Sequence, residues 1–212
     1  MLVHAGDFTY RGKENEISSF IRWFTALPHT YKILIAGNHE VLLDPDTPMN
    51  RRPDKHEMAA KLRAHLTDCQ PGRVFYLHDS SVHVCGLTFY GSPWQPTFGG
   101  WAFNAERGSE IREKWDLIHA GVDVLVTHGP PKGHGDRVTS GHEVGCEDLR
   151  EACETRVRPM VHVFGHIHEA YGVSANAHTL FVNASTCTVR YRPDNPAVVI
   201  DVRLPDVVGV DV

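Results

Sequence analysis

The chain has 212 residues, with 21 Lys and Arg against 26 Asp and Glu and a formal net charge of −5, a balance that excludes a basic nucleic-acid groove as its main business. Hydrophobic residues make up 42% and charged residues 22%, which excludes a disordered chain and is enough for one core without disulfides or structural metals. No apolar run approaches the roughly 18 residues of a membrane span, and Cys69, Cys85, Cys146, Cys153 and Cys187 are odd in number and lack a CxxC, so they read as buried, reduced thiols of a cytoplasmic protein.

Taken in chain order, short apolar runs bounded by glycine or turn residues read as buried strands at residues 2–3, 33–36, 122–126, 161–164, 180–182 and 198–200. A hairpin arm spans 82–91 and turns at Gly86. Residues 14–27 read as a helix, because Ile17, Phe20, Ile21, Phe24 and Leu27 recur at three- and four-residue spacing along one face. Weaker helical patterns cover 56–66, 109–119 and 143–157, and the proline-rich stretch 44–55 reads as a surface loop in which Arg51 and Arg52 are solvated charges. Strands alternating with helices predict an α/β layered fold.

Four of these strands end alike, in a glycine or small polar residue next to a side chain able to bind metal. The tips are Gly6-Asp7, Gly37-Asn38-His39-Glu40, Thr127-His128-Gly129 and Gly165-His166-Ile167-His168. Ligands of open α/β sheets bind beyond the carboxyl ends of strands, so the four tips are expected to converge on one crevice. A carboxylate, an amide oxygen and three imidazoles form a mixed oxygen and nitrogen set, suited to manganese, iron, zinc or cobalt rather than calcium. The two oxygens of Asp7 allow it to bridge two cations held roughly 3.5–4 Å apart, the separation that clamps a phosphoryl group.

These four motifs, in this order and spacing, resemble those of the calcineurin-like metallophosphoesterases. Further stretches, His128-Gly129-Pro130-Pro131 and Asn183-Ala184-Ser185-Thr186-Cys187, are similar to the small metallophosphoesterase-domain-containing phosphodiesterases. The resemblance implies a single domain over 1–212: a β-sandwich flanked by helices, with a two-metal site at one edge. It also implies hydrolysis of phosphoester bonds, phosphodiesters first, but leaves cyclic nucleotides, nucleic-acid ends, phospholipid diesters and phosphoproteins open; the acidic net charge favours small molecules such as cyclic nucleotides over nucleic acid. Carried over by position, Asp7 bridges two divalent ions (manganese, iron or zinc), Asn38, His128 and His166 complete one of them, and His168 belongs to the other. Asn38 and His39 contact substrate, and His39 donates a proton to the leaving oxygen.

The resemblance departs at the N-terminus. Family members carry an Asp-x-His at the tip of an earlier strand, and this chain has no such motif before Asp7. The expectation is therefore a fold short of its first strand and a second metal position only half supplied, as in an N-terminally truncated chain. A competing reading is a weakened relative that binds a nucleotide or phosphate through one metal.

Other residues have plainer readings. His4, His78 and His162 fall within or beside strand-like runs and read as core histidines. Glu40 reads equally as a carboxylate orienting the site and as a capping or solvated one. Trp94, Phe98, Trp101 and Phe103 read first as a loop packed over the sheet and second as an aromatic wall against a nucleobase. Arg137, beside Asp136, is the candidate for a further phosphate contact or for an ion pair with that aspartate.

Overall fold

Adjacent residues of one strand, Ile33 and Leu34, lie in two different cores. That division follows from the two-residue period of extended chain, which sends neighbouring side chains to opposite faces. The computed structural model describes residues 1–47, 53–202 and 204. Strands β1 (Leu2–His4), β2 (Lys32–Leu34) and β3 (Val74–Tyr76) form a parallel sheet in that order. The second sheet is built from β4 (Ser80–Val84), β5 (Leu87–Ser92), β8 (Val124–Thr127), β9 (Val161–Phe164), β10 (Gly172–Ala175) and β11 (Leu180–Asn183), in the order β10-β11-β9-β8-β5-β4. Its inner strands are parallel and its two edge strands antiparallel to their neighbours. A short parallel pair, β6 (Gln95–Pro96) with β7 (Asn104–Ala105), bridges the loop after β5.

Between the sheets, Ile33, Ile35 and Leu77 pack against Phe89, Val124, Val126, Val161, Val163 and Val182. The sheets come so close that a Cβ on Gly91 would lie 2.4 Å from Leu77 Cβ and 2.7 Å from Ile35 Cγ2. On the outer faces, α1 (Glu14–Ala26) buries Ile17, Phe20, Ile21 and Phe24, α2 (Pro53–Asp68) buries Ala59, Leu62 and Leu66, and α3 (Ser109–Asp116) buries Ile111 and Trp115. Each such large apolar side chain contributes about 2 kcal/mol of transfer free energy. The start of α1 is fixed by Glu16, whose carboxylate accepts the backbone N–H groups of Arg11 and Lys13, both at 3.0 Å. The fold is the expected sandwich flanked by helices.

Several expectations are corrected. Residues 198–200 form no strand: among the described residues they pair with no ladder, Val199 is 89% exposed, and Val198 and Ile200 pack against the inter-sheet core as side chains only. The helix expected over 143–157 is α4 (Glu147–Ala152) followed by a π-helical turn, Cys153–Val157, that ends with Arg158 at φ 48°. The loop expected over 44–55 ends at Pro53, which starts α2, a position where proline's missing N–H costs nothing. Arg51 and Arg52 lie outside the described residues. All five cysteines are free, but only Cys146 and Cys153 are buried. Cys85 is exposed because it and Gly86 (φ 54° and 77°) form the two-residue turn of the β4–β5 hairpin.

Among the described residues β1 pairs only with β2. Its other side borders a cavity of about 1010 Å³ lined by the inner-face residues Phe89, Val124, Val161 and Val163 and, across the opening, Val198 and Ile200.

Candidate metal centre

The tips of β1, β2, β8 and β9 meet at one end of the sandwich. Two of the tips turn sharply as they leave the sheet: Asp7 and His166 both adopt left-handed backbone, φ 56° and 66°. Such a conformation costs a non-glycine residue on the order of 1 kcal/mol or more and is retained where surrounding structure fixes it. Gly37 provides the room. A Cβ there would sit 2.4 Å from Asp7 Oδ1 and 2.5 Å from His128 Cε1.

The donors converge closely. Asn38 Oδ1 is 2.8 Å from His128 Nε2 and 2.9 Å from His166 Nδ1, the two ring nitrogens are 3.2 Å apart, and Asp7 Oδ2 lies 3.3 Å from His128 Nε2. Asp7, His128 and His166 each offer a ligand atom within 4.8 Å of the others. The hydrogen-bond pattern assigns the histidine tautomer. His128 Nδ1 faces the carbonyl of Ala5 at 2.9 Å, a group that only accepts, so Nδ1 carries the hydrogen. In the neutral ring Nε2 is then a lone pair aimed at the amide oxygen and the carboxylate. Four acceptors facing one point repel each other unless a positive charge sits among them, and the donor types suit a borderline divalent cation.

The titration directions agree with that reading. Burial alone would raise Asp7, but the charge of His128 and its hydrogen bond outweigh it and hold the carboxyl well below the ordinary carboxylate range. Burial would lower His128, and Asp7 instead holds it above its usual value. Burial, then the neighbouring His128, pushes His166 down to about 3, which keeps it the neutral imidazole a cation requires.

Glu40 is the residue whose importance the sequence left open. It is fully buried, and its carboxylate accepts the backbone N–H groups of Asp7 (2.8 Å), Gly37 (2.7 Å) and Thr9 (2.8 Å) together with the Thr9 hydroxyl (2.8 Å). One side chain thus ties the tip that carries Asp7 to the tip that carries Asn38. Burial and the neighbouring Asp7 push Glu40 up to about 8, against the hydrogen bonds, which favour the ionised form. An acid at the end of a strand motif was the only sequence signal, and it is shared with solvated glutamates.

His39 stands beside the cluster. Its backbone N–H donates to Asp7 Oδ1 (3.0 Å), its Nδ1 donates to the Tyr10 carbonyl (2.8 Å), and its ring stacks on Trp101 with centroids 4.2 Å apart. Among the described residues its Nε2 has no hydrogen-bond partner. His168 donates from Nδ1 to the Thr188 carbonyl (3.1 Å), and both histidines line the cavity beside β1 and a second cleft of about 560 Å³. Asn183, buried at the end of β11, donates to the carbonyls of Ile167 and Gly135, both at 2.8 Å, and so anchors the turn between His166 and His168.

The remaining candidates separate. Arg137 lines neither cavity; it is exposed and pairs with Glu143 at 3.3 Å, while Asp136 is buried and accepts the N–H groups of Gly133 and Gly145. Of the four loop aromatics, Trp94 and Phe103 are buried against each other, whereas Trp101 meets His39 and Phe98 is exposed in the second cleft. His162 is a core histidine, buried with Nε2 2.8 Å from Thr127 Oγ1, whereas His4 is half-buried, packed edge-on against Phe20 and lining the cavity beside β1. His78 packs edge-on against Phe103.

A sandwich whose strand tips gather one carboxylate, one amide and two imidazoles around a single point has the donor set of a divalent-metal site. Residues 1–170 match the calcineurin-like phosphoesterase family, and the chain belongs to it. It is 46% identical over 220 residues to metallophosphoesterase domain-containing protein 1 of Homo sapiens, covering 97% of this chain and 65% of that protein. A UPF0046 protein of Caenorhabditis elegans is 41% identical over 215 residues, covering 95% of this chain and 54% of that one. The chain therefore spans less than two thirds of the length of these relatives. A solved crystal structure superimposes with a TM-score of 0.61 at 15% identity, over 81% of this chain and 63% of its own, and shares the fold.

Proposed function

We propose that residues 1–212 form one metallophosphoesterase domain that hydrolyses phosphodiesters of small molecules, with cyclic nucleotides as the first class to try. The observation that carries this reading is the convergence of Asn38 Oδ1, His128 Nε2, His166 Nδ1 and Asp7 Oδ2 on one point. Asp7, Asn38, His128 and His166 would hold one divalent cation, with Asp7 and His168 contributing to a second; manganese, iron and zinc all suit these donors. When bound, the cations supply Lewis-acid stabilisation of the phosphoryl oxygens and activate water.

The chain's own residues do the rest. Asn38 and His39 face the phosphate from the β2 tip. His39, oriented through Nδ1 by the Tyr10 carbonyl and through its ring by Trp101, presents Nε2 to the leaving oxygen, and its protonated form transfers a proton there. Glu40 keeps Asp7 and Asn38 in register. Arg137 is left out of the substrate contacts because its guanidinium is paired with Glu143. The free thiols fit a reducing, cytoplasmic setting, and among the described residues no helix is long and apolar enough to cross a membrane.

The test is hydrolysis of bis(p-nitrophenyl) phosphate with excess manganese. Turnover that chelation abolishes supports the enzyme, whereas background rates with manganese, iron, zinc and cobalt alike overturn it. A second reading, a protein that binds a nucleotide or phosphate through one metal, is favoured by the unequal support of the two positions. It predicts one bound equivalent and ligand binding without turnover.

A further inference from the structure

Two aromatic side chains stand exposed at the mouth of the metal centre although each packs against one of its histidines. Phe98 and Tyr191 are both 59% exposed, and both line the 560 Å³ cleft. The Phe98 ring meets His166 edge-on, with centroids 5.7 Å apart at 86°, and the Tyr191 ring meets His168 edge-on at 5.4 Å and 81°. Single exposed aromatics are ordinary, but two that border the same cleft, each set on a site histidine, are not a scattered pair.

Each is held on a rigid turn. The loop carrying Phe98 is pinned by Asn104, which accepts the Phe98 N–H at 3.2 Å and donates to the carbonyls of Gly99 and Trp101, both at 3.2 Å. Tyr191 sits in a turn closed by Tyr191 N–H to Thr188 O at 2.8 Å and Thr188 N–H to Arg192 O at 2.9 Å. Its backbone is left-handed, φ 55°, a conformation that a bulky residue rarely adopts. Ring faces held open to water in fixed turns are preorganised to stack on a flat partner, since little side-chain freedom remains to be lost on binding.

We infer that Phe98 and Tyr191 form a subsite for a planar aromatic group carried on the phosphoester, next to the phosphate position at His39 and Asn38. The inference rests on the reading of the centre as a phosphoester site and adds the feature that selects among esters: those with an aromatic base or aryl group are preferred over those with a sugar or alkyl group alone. Aromatic stacking of this kind is worth roughly 5- to 150-fold in affinity per base.

Calorimetry of the manganese-loaded protein with adenosine 5′-monophosphate and with ribose 5-phosphate tests it, the probes differing only in the base. At least tenfold tighter binding of the nucleotide is expected, with that ratio falling several-fold in Phe98→Ala and in Tyr191→Ala and recovering in Phe98→Tyr and Tyr191→Phe. Both positions are exposed, so the variants should keep the parent's thermal midpoint. A ratio near one in the parent protein, or no binding of either probe, overturns the inference. Equal weakening of both probes by the alanine variants also overturns it. Hydrolysis of bis(p-nitrophenyl) phosphate by the same preparations separates the two proposals: a preserved nucleotide preference without turnover overturns the enzymatic reading and leaves this subsite standing.

Discussion

Nε2 of His128 lies 2.8 Å from the side-chain oxygen of Asn38, although the other ring nitrogen of His128 is already committed to the Ala5 carbonyl. Between two groups that both accept in their neutral forms, such a distance is sustained by a shared positive charge. In the bare protein a proton on His128, which Asp7 favours, would supply that charge, and a bound cation would supply it in the proposed metal-loaded protein.

Metal content should therefore separate the ligands from their neighbour. His128→Ala and His166→Ala each remove a converging donor, and metal affinity should fall by tenfold or more in both. His39→Ala should leave metal content near the parent level while lowering turnover by roughly 10²–10⁴-fold, the range general acid catalysis supplies. Elemental analysis after gel filtration, beside steady-state rates, checks both, and equal metal loss in all three variants would remove His39 from the proton-donor role.

Glu40 gives a test of the scaffold beneath the ligands. Truncation in Glu40→Ala leaves the buried N–H groups of Asp7, Gly37 and Thr9 without their acceptor, at about 1–3 kcal/mol for each one that water cannot reach. The urea midpoint should drop by an amount equivalent to several kcal/mol, and metal affinity should fall with it. A variant as stable as the parent would mean that water replaces the carboxylate at this position.

Much of this centre was legible because its information is local. A strand, a glycine or small polar residue and a donor follow one another within a few positions, so Asp7, Asn38, His128 and His166 stood out as candidates, their roles coming from the family resemblance, and the face of α1 could be read from its spacing. What was not legible depends on contacts distant in sequence. Glu40 acts on residues 31 and 33 positions away, and the turn that carries Tyr191 shows no pattern until it is laid beside His168. Residues 198–200 carry an apolar strand pattern, yet whether such a run joins a ladder depends on a neighbouring edge that sequence does not display.

Gly37→Ala is the smallest change expected to disable the centre. The added methyl would meet Asp7 Oδ1 at 2.4 Å and His128 Cε1 at 2.5 Å, closer than real contacts allow, so one of the two ligands must move. Overpacking of this kind costs about 1–3 kcal/mol of stability, which a domain of this size survives. Metal affinity should fall more steeply than stability does. Parallel measurement of the thermal midpoint and manganese affinity checks this, and unchanged affinity would show that the β2 tip yields more easily than its packing suggests.

The two metal positions should differ widely in affinity. On the proposed assignment Asp7, Asn38, His128 and His166 would support one, whereas among the described residues Asp7 and His168 would support the other, and Asp7 would already donate to the first. The second cation therefore meets a less complete donor set and a neighbouring positive charge that is only partly neutralised. Manganese equilibrium dialysis of the 212-residue chain should give one tight equivalent and one weak or undetectable. The side of β1 that pairs with no strand among the described residues and the apolar cavity of about 1010 Å³ beside it offer room for a further strand, and a strand ending in Asp-x-His would bring two more donors towards His168. Extending the chain by such a segment should raise binding to two tight equivalents. If the second cation supplies several kcal/mol of transition-state stabilisation, diesterase rates should rise by about a thousandfold, since each 1.36 kcal/mol is tenfold in rate. Two tight equivalents in the 212-residue chain would show instead that residues already present complete the second position, and the search for them would begin with the groups around His168 and Cys187 that line the same cavity.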